Sequence, residues 1–323
     1  MTDPWQAVAL SRDVAKKPLR VLLDGAPIVL FRSPSGLAAL ADRCPHRLVA
    51  LSEGAVRDGT LECPYHGWRF DAQGQCVAMP GHLGDLPRCR IPRYAVTEAE
   101  GVIFLSKGTP TDLPYTHCMA GQPTVLRLVK SRTRSTMIDA AENILDATHT
   151  HFTHKGLLRG LSAKRYRVQV QVTGGPGWVE ASYTGEDRQK GLVSALLDGA
   201  RVRTVGRYRH PGIAELEYWG PKGLVLATTF HLRQADPETV EGVGFLIAPH
   251  QGLLGQVKAL AFKPMFRIAL AQDRRILRSA FDNAGAATRM IGPLDFLRRD
   301  IEAIASGHLP DAAQTPRSYE IEL

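Results

Sequence analysis

The chain is poor in cysteine, holding 5 in 323 residues, and an odd, sparse count does not make a disulfide framework. It has no apolar run of the roughly 18 residues a membrane-spanning helix needs. It also opens on Met1-Thr-Asp-Pro-Trp, without the basic region and apolar stretch of a signal peptide. These absences lead to an expectation of a cytoplasmic protein in a reducing compartment. No internal repeat and no low-complexity segment is present. Hydrophobic residues make up 44% and charged residues 22%, which excludes global disorder, and the length suits two domains with separate cores.

The net charge of +8 raises the question of nucleic acid. Residues 1–108 carry 13 Lys and Arg against 11 Asp and Glu, and residues 109–323 carry 27 against 21, so the excess is +2 and +6. Neither part has a dense basic tract with interleaved aromatics. The nearest feature, Arg201, Arg203, Arg207 and Arg209, puts its arginines at odd positions on one side of a strand. We read it as a solvated sheet face, with a docking face for an acidic protein as the sharper alternative. No nucleic-acid partner is expected.

The first third reads as short strands and turns. Leu19–Leu23 and Ile28–Phe31 flank Asp24-Gly25, a hairpin signal; a second turn is expected at Asp71-Ala72-Gln73-Gly74, and Gly101–Leu105 reads as a closing strand. This gives an all-β domain over 1–108, a turn-rich linker over 109–123 and a second domain over 124–323. The second domain opens with a helical stretch from about Ile138 to His149. Strands follow around Tyr166–Val172, Trp178–Tyr183, Val202–Tyr208, Ile213–Tyr218, Leu224–His231 and Val240–Ala248. Two helices come next, about Leu254–Phe281, broken near Pro264, and Pro293–Ala305, and then an extended tail after Leu309. One antiparallel sheet backed by helices is an α+β arrangement.

Two loops carry the chemistry. Cys44-Pro45-His46-Arg47 and Cys63-Pro64-Tyr65-His66-Gly67-Trp68 form C-x-H, sixteen intervening residues, then C-x2-H. Two Cys and two His can make a tetrahedral zinc site, but zinc sites usually group cysteines apart from histidines. Here each loop supplies one thiolate and one imidazole, which suits a [2Fe–2S] cluster with Cys44 and Cys63 on one iron and His46 and His66 on the other. The pattern closely resembles the Rieske iron–sulfur domain. Cys76, Cys89 and Cys118 lie outside it and read as buried structural thiols.

A second constellation follows in Glu142-Asn143-Ile144-Leu145-Asp146-Ala147-Thr148-His149-Thr150-His151-Phe152-Thr153-His154. Asp146 and His149 share a helix face, whereas His149 and His154 converge on one point only if the helix ends or distorts between them. By itself the run also fits a capping or exposed histidine cluster. Downstream of CPHR and CPYHGW, N-x2-D-x2-H-x4-H resembles the mononuclear-iron motif of Rieske non-heme iron oxygenases, and the resemblance spans nearly the whole chain. It implies a helix-grip (START-like) catalytic domain. It implies Fe(II) held by His149, His154 and a late Asp in a 2-His-1-carboxylate triad with positions open to dioxygen. Asp273, in Ala269-Leu270-Ala271-Gln272-Asp273, resembles that ligand by context, with Asp282 second. His151 fits no ligand position. Asp146 resembles the family's bridging aspartate, set between a Rieske histidine of one subunit and an iron histidine of the next, and Asn143 is a weaker supporting candidate. Met137–Ala141 lacks the aromatic residue often found before the motif.

The resemblance, to the smaller type that includes vanillate demethylases, implies an oxygenase component and a homotrimer. Electrons would come from a ferredoxin or a separate NAD(P)H-dependent reductase, so that NAD(P)H acts only indirectly. The substrate would be an apolar or aromatic small molecule, hydroxylated or demethylated with O2. Strand residues from about Val168 to Phe245 and the helix Leu253–Ile268 are expected to line the pocket. Two rivals are an electron-transfer or ligand-binding protein without oxygenase activity, and a zinc protein binding nucleic acid. On the oxygenase reading, the +6 of residues 109–323 steers an acidic electron donor.

Overall fold

The structure is a computed structural model that describes residues 3–157, 165–185, 202–249 and 252–323. The chain divides into two compact units, Met1–Thr116 and His117–Leu323. The division falls inside the turn-rich stretch read above as a linker.

The first unit is all β. Its strands are β1 (Gln6–Leu10), β2 (Leu19–Leu23), β3 (Ala26–Ser33), β4 (Gly36–Ala41), β5 (Ala55–Arg57), β6 (Thr60–Glu62), β7 (Arg69–Phe70), β8 (Cys76–Ala78), β9 (Ala95–Ala99) and β10 (Val102–Ser106). They form three antiparallel sheets in the orders β1-β10-β9, β2-β3-β4 and β5-β6-β7-β8. The Asp24-Gly25 turn closes β2 on β3, with both residues at positive φ, as a two-residue hairpin of primed type requires. β3 reads as an unbroken apolar run because both its faces are covered. Val29 and Phe31 enter the core that also holds Cys44, Cys63 and Phe70, while Ile28 and Leu30 enter one with Leu23 and Leu105.

The second unit is built on one eight-stranded antiparallel sheet. Its strands are β11 (Thr124–Arg134), β12 (Arg167–Gly175), β13 (Trp178–Thr184), β14 (Arg203–Arg209), β15 (Ile213–Gly220), β16 (Gly223–Asp236), β17 (Thr239–Pro249) and β18 (Arg317–Glu322). The order is β11-β17-β16-β15-β14-β13-β12-β18. The helices are α1 (Met137–Leu145), α2 (Thr150–Thr153), α3 (Gly252–Asn283), α4 (Arg298–Ala305) and α5 (Asp311–Gln314). Period-two burial drives the sheet: Val168, Val170 and Val172 of β12 are buried, and the residues between them are exposed. They share a core with Leu145 of α1 and Ile301 and Ile304 of α4. No helix among the described residues is long and apolar enough to cross a membrane.

The described elements depart from expectation in six places, the first being that the second unit opens on β11, Thr124–Arg134, where the sequence suggests no strand. Helix α1 stops at Leu145, four residues before His149, because Asp146 leaves helical geometry at ψ 116°. Helix α3 continues through Pro264, whose missing N–H removes one hydrogen bond without ending the helix. The last long helix begins at Arg298, not Pro293. The tail forms α5 and then β18, which pairs with β12 and protects that sheet edge. The arginine face is solvated only in part, with Arg203 exposed and Arg207 not. Arg201 lies outside the described residues, but Arg207 is mostly buried, bonding Glu180 at 2.5 Å and Glu217 at 2.9 Å, with Glu215 3.3 Å away. These three acids sit on β13 and β15, next to β14, so the partners of Arg207 belong to its own chain and no docking face is needed to explain it.

Candidate metal centres

In the first unit, the two Cys–His loops turn back tightly on themselves. The Leu48 amide donates to the Cys44 carbonyl at 2.9 Å, the Cys44 amide to Val49, and the Cys63 amide to the Trp68 carbonyl at 2.8 Å. Gly67 takes a positive φ, and a Cβ there would lie 3.1 Å from Pro80 Cγ, so glycine after His66 lets a third loop close on the site. Cys44 and Cys63 are buried, whereas His46 and His66 are exposed with ring centroids 4.6 Å apart. Trp68 stacks on His46 at 4.7 Å and nearly parallel, fixing that ring; its place in the sequence did not announce this. Burial pushes the Cys44 thiol up to about 11, with the neighbouring Cys63 adding to the effect. A buried thiol of this kind ionises when a metal replaces its proton. Desolvation, then His46 and Arg47, hold His66 below its ordinary value, which favours the neutral imidazole that binds metal. Two sulfurs and two ring nitrogens on facing loops fit a mixed-ligand [2Fe–2S] group.

In the second unit, Asp146 ends α1 and organises the next turn. Its Oδ1 accepts from the Thr148 amide at 2.7 Å and the Thr148 hydroxyl at 2.6 Å, and its Oδ2 accepts from the His149 amide at 3.2 Å. His149 and His154 then bracket the short helix α2 as its two caps. The break that convergence requires is therefore present. His149 Nε2 and His154 Nε2 approach to 3.3 Å, and Asp273 Oδ1, from α3, lies 3.6 and 3.0 Å from them. Among the described residues these three make the group able to hold a metal ion. Oδ1 of Asp273 is buried with no donor aligned on it, the state expected of an atom meant for a cation.

Electrostatics agree. Burial lowers the His149 pKa, but Asp146 and Asp273 outweigh it and raise it to about 9. Burial pushes Asp273 up, yet the two histidines hold it below the usual carboxylate range. A proton on His149 offsets carboxylate charge in the protein alone, and a divalent cation among the three atoms would displace it. Two nitrogens and one carboxylate on one side of a point match a facial triad with open positions.

The other candidates are placed as follows. Asp146 Oδ2 lies 3.3 Å from His149 Nδ1, behind the triad, where it can orient that ring. Asn143 lines the pocket in front of the triad. Asp282 is at the surface, bonded to Arg134 at 2.5 Å, away from the site. His151 is half-buried and not part of the triad. Gln272 was missed in its role: its Oε1 accepts from His154 Nδ1 at 2.8 Å, leaving Nε2 free to bind metal. Part of the expected pocket lining, residues 186–201 and the side chains of 253–259 and 261, lies outside the described residues. Leu216 and Tyr218 of β15 and Leu226, Thr228 and Phe230 of β16 supply its sheet side, and Phe262, Phe266 and Ala269 of α3 face them.

Comparison with known proteins follows from this geometry. Residues 4–90 match the Rieske [2Fe-2S] domain. The oxygenase component of dicamba O-demethylase from Stenotrophomonas maltophilia is 42% identical over 111 residues, 33% of this chain and 32% of that protein. The oxygenase subunit of 3-chlorobenzoate-3,4-dioxygenase from Comamonas testosteroni is 36% identical over 146 residues, 43% of this chain and 34% of that one. The chain thus spans about a third of the length of these curated relatives. In fold the likeness is complete: dicamba monooxygenase bound to dicamba superposes with TM-score 0.79 over 94% of this chain and 97% of that one, at 19% identity. The match over both Cys–His loops replaces the zinc reading with an iron–sulfur one. Residues 4–90 are thus similar to the Rieske [2Fe-2S] domain, and the chain has the fold seen in dicamba monooxygenase.

Proposed function

We propose that the protein is a terminal oxygenase component. It takes electrons from a ferredoxin or a separate NAD(P)H-dependent reductase and uses O2 to hydroxylate or oxidatively demethylate an apolar or aromatic small molecule. The observation that carries this reading is the convergence of His149 Nε2, His154 Nε2 and Asp273 Oδ1 at one end of an apolar pocket, in a chain that also has a Rieske domain. Cys44, His46, Cys63 and His66 hold the cluster, and His149, His154 and Asp273 hold Fe(II). When bound, the cluster supplies one-electron transfer and the iron supplies reductive activation of O2.

The protein's own part is orientation and exclusion. Asp146 steadies His149 from its Nδ1 edge and Gln272 steadies His154, so both Nε2 lone pairs stay aimed at one point. Asp273 brings the single carboxylate of the set. Phe230, Phe262 and Phe266 form an apolar wall that keeps water from the substrate and presents its C–H bonds to the triad. In a homotrimer, Asp146 also accepts from a cluster histidine of the next copy and links the two centres. A reducing, cytoplasmic setting suits cluster thiolates that must stay out of disulfides.

The test is substrate-dependent O2 uptake with product formation, driven by NAD(P)H and a reductase. His154→Ala should abolish both while the EPR signal of the reduced cluster survives. Product formation by that variant, or its absence from wild type across a broad aromatic set, overturns the reading and favours an electron-transfer or ligand-binding protein.

A further inference from the structure

The pocket in front of the triad carries information about charge. Its wall is aromatic: Phe230 and Phe266 stack at 5.8 Å with 17° between planes, and Phe262 meets Phe266 at 5.6 Å. Among the described residues, no Lys or Arg lines it, and its histidine and carboxylate side chains are His149, His154 and Asp273. All three belong to the metal site. A carboxylate entering such a pocket loses its hydration and meets no Lys or Arg among the described residues, the only cation in front of it being one held by the triad itself.

One buried hydroxyl of this pocket has no partner. Thr228 lies on β16 between Leu226 and Phe230, two residues from each, so its side chain shares their inward face. It is 2% exposed, and its Oγ1 is buried with no hydrogen-bond partner. Thr229 next to it, on the opposite face, shows the usual solution: its hydroxyl donates to Glu215 at 3.1 Å. A buried hydroxyl left unsatisfied costs free energy unless an arriving molecule completes it.

We propose that this pocket selects an uncharged ring compound bearing a hydrogen-bonding oxygen, with Thr228 Oγ1 as the anchoring donor, and rejects the corresponding carboxylate. The substrate lies flat on the Phe266 face, its oxygen at Thr228 and its far end toward the triad. This rests on the oxygenase reading for the identity of the site. Binding and turnover are measured separately, however, so either can fail alone.

The experiment is isothermal titration of the metal-loaded protein near pH 8. The ligands are methyl 4-methoxybenzoate against 4-methoxybenzoate, and the same ester and acid pair on a methoxynaphthalene ring. The esters should bind at least about tenfold tighter than the acids. Thr228→Val keeps the shape and removes the hydroxyl. It should weaken ester binding by about three- to tenfold, Thr228→Ser should restore most of the loss, and 4-ethyltoluene should bind Thr228→Val no worse than wild type. Acids binding as tightly as esters, no ester binding at millimolar concentration, or an unchanged ester Kd in Thr228→Val each overturns the proposal. The wild-type ester and acid comparison decides the charge claim even if Thr228→Val folds poorly. Esters that bind as expected without supporting O2 uptake would leave this inference standing and count against the oxygenase reading.

Discussion

His154 Nδ1 donates to Gln272 Oε1 at 2.8 Å, one residue before Asp273, so a single turn of α3 both supplies a candidate metal ligand and orients another. Gln272→Leu removes the acceptor and leaves the triad residues in place. Iron affinity, measured by competition with a chelator, should fall roughly 10–100-fold, with Gln272→Glu much closer to wild type. Equal iron affinity in Gln272→Leu would mean that packing alone holds the His154 ring.

Arg207 offsets three carboxylates under the sheet, of which Glu215 is fully buried and Glu217 nearly so. Arg207→Met leaves Glu217 without its cationic partner and Glu215 and Glu180 with only Arg209 and Arg203, at about 3 kcal/mol. The thermal midpoint of the second unit should fall by roughly 10 °C. Replacing Arg207, Glu180 and Glu217 together with apolar residues should recover much of the loss. A single variant melting with wild type would show the network to be idle.

Asp139 gives the pH dependence. Burial pushes its carboxyl up, but Arg289 and Arg298 outweigh that and hold it down to about 2. Because the folded value lies below the unfolded one, the stabilisation is fully present above pH ~4 and is lost as pH falls toward ~2. Its size is about 2 kcal/mol, since Asp139 and Arg298 are both largely buried. Denaturant titrations between about pH 5 and 2 should show wild type losing this increment. Asp139→Asn, already weakened at neutral pH, should have a flatter curve. Parallel curves would assign acid unfolding to other groups.

Much of this was legible locally. Turn residues and period-two alternation mark the Asp24-Gly25 hairpin and the strands from β12 to β17, because each signal sits within a few residues. Edge strands hid better. Few positions of β11 and β18 are buried, and their half-buried positions include Arg127, Ser131, Thr133 and Arg317, which weakens the alternation; β18 pairs with β12 from far along the chain. The spacing of arginines on β14 correctly put them on one face. At Arg207 that face is covered by carboxylates from neighbouring strands, which no local pattern records. The same limit applies at the site. The Cys44/His46, Cys63/His66 and His149/His154 pairs are short-range, and Asp273 could be named only by resemblance. The parts played by Gln272, Trp68 and Thr228 depend on packing between distant segments.

The most direct test is metal and sulfide content of the purified chain, with wild type, His149→Ala and Asp273→Ala compared. Wild type should hold three irons and two acid-labile sulfides per chain, and each variant two irons with both sulfides and an intact Rieske EPR signal. Two irons in wild type, zinc at the triad, or three irons retained in both variants would contradict a mononuclear iron centre on His149, His154 and Asp273.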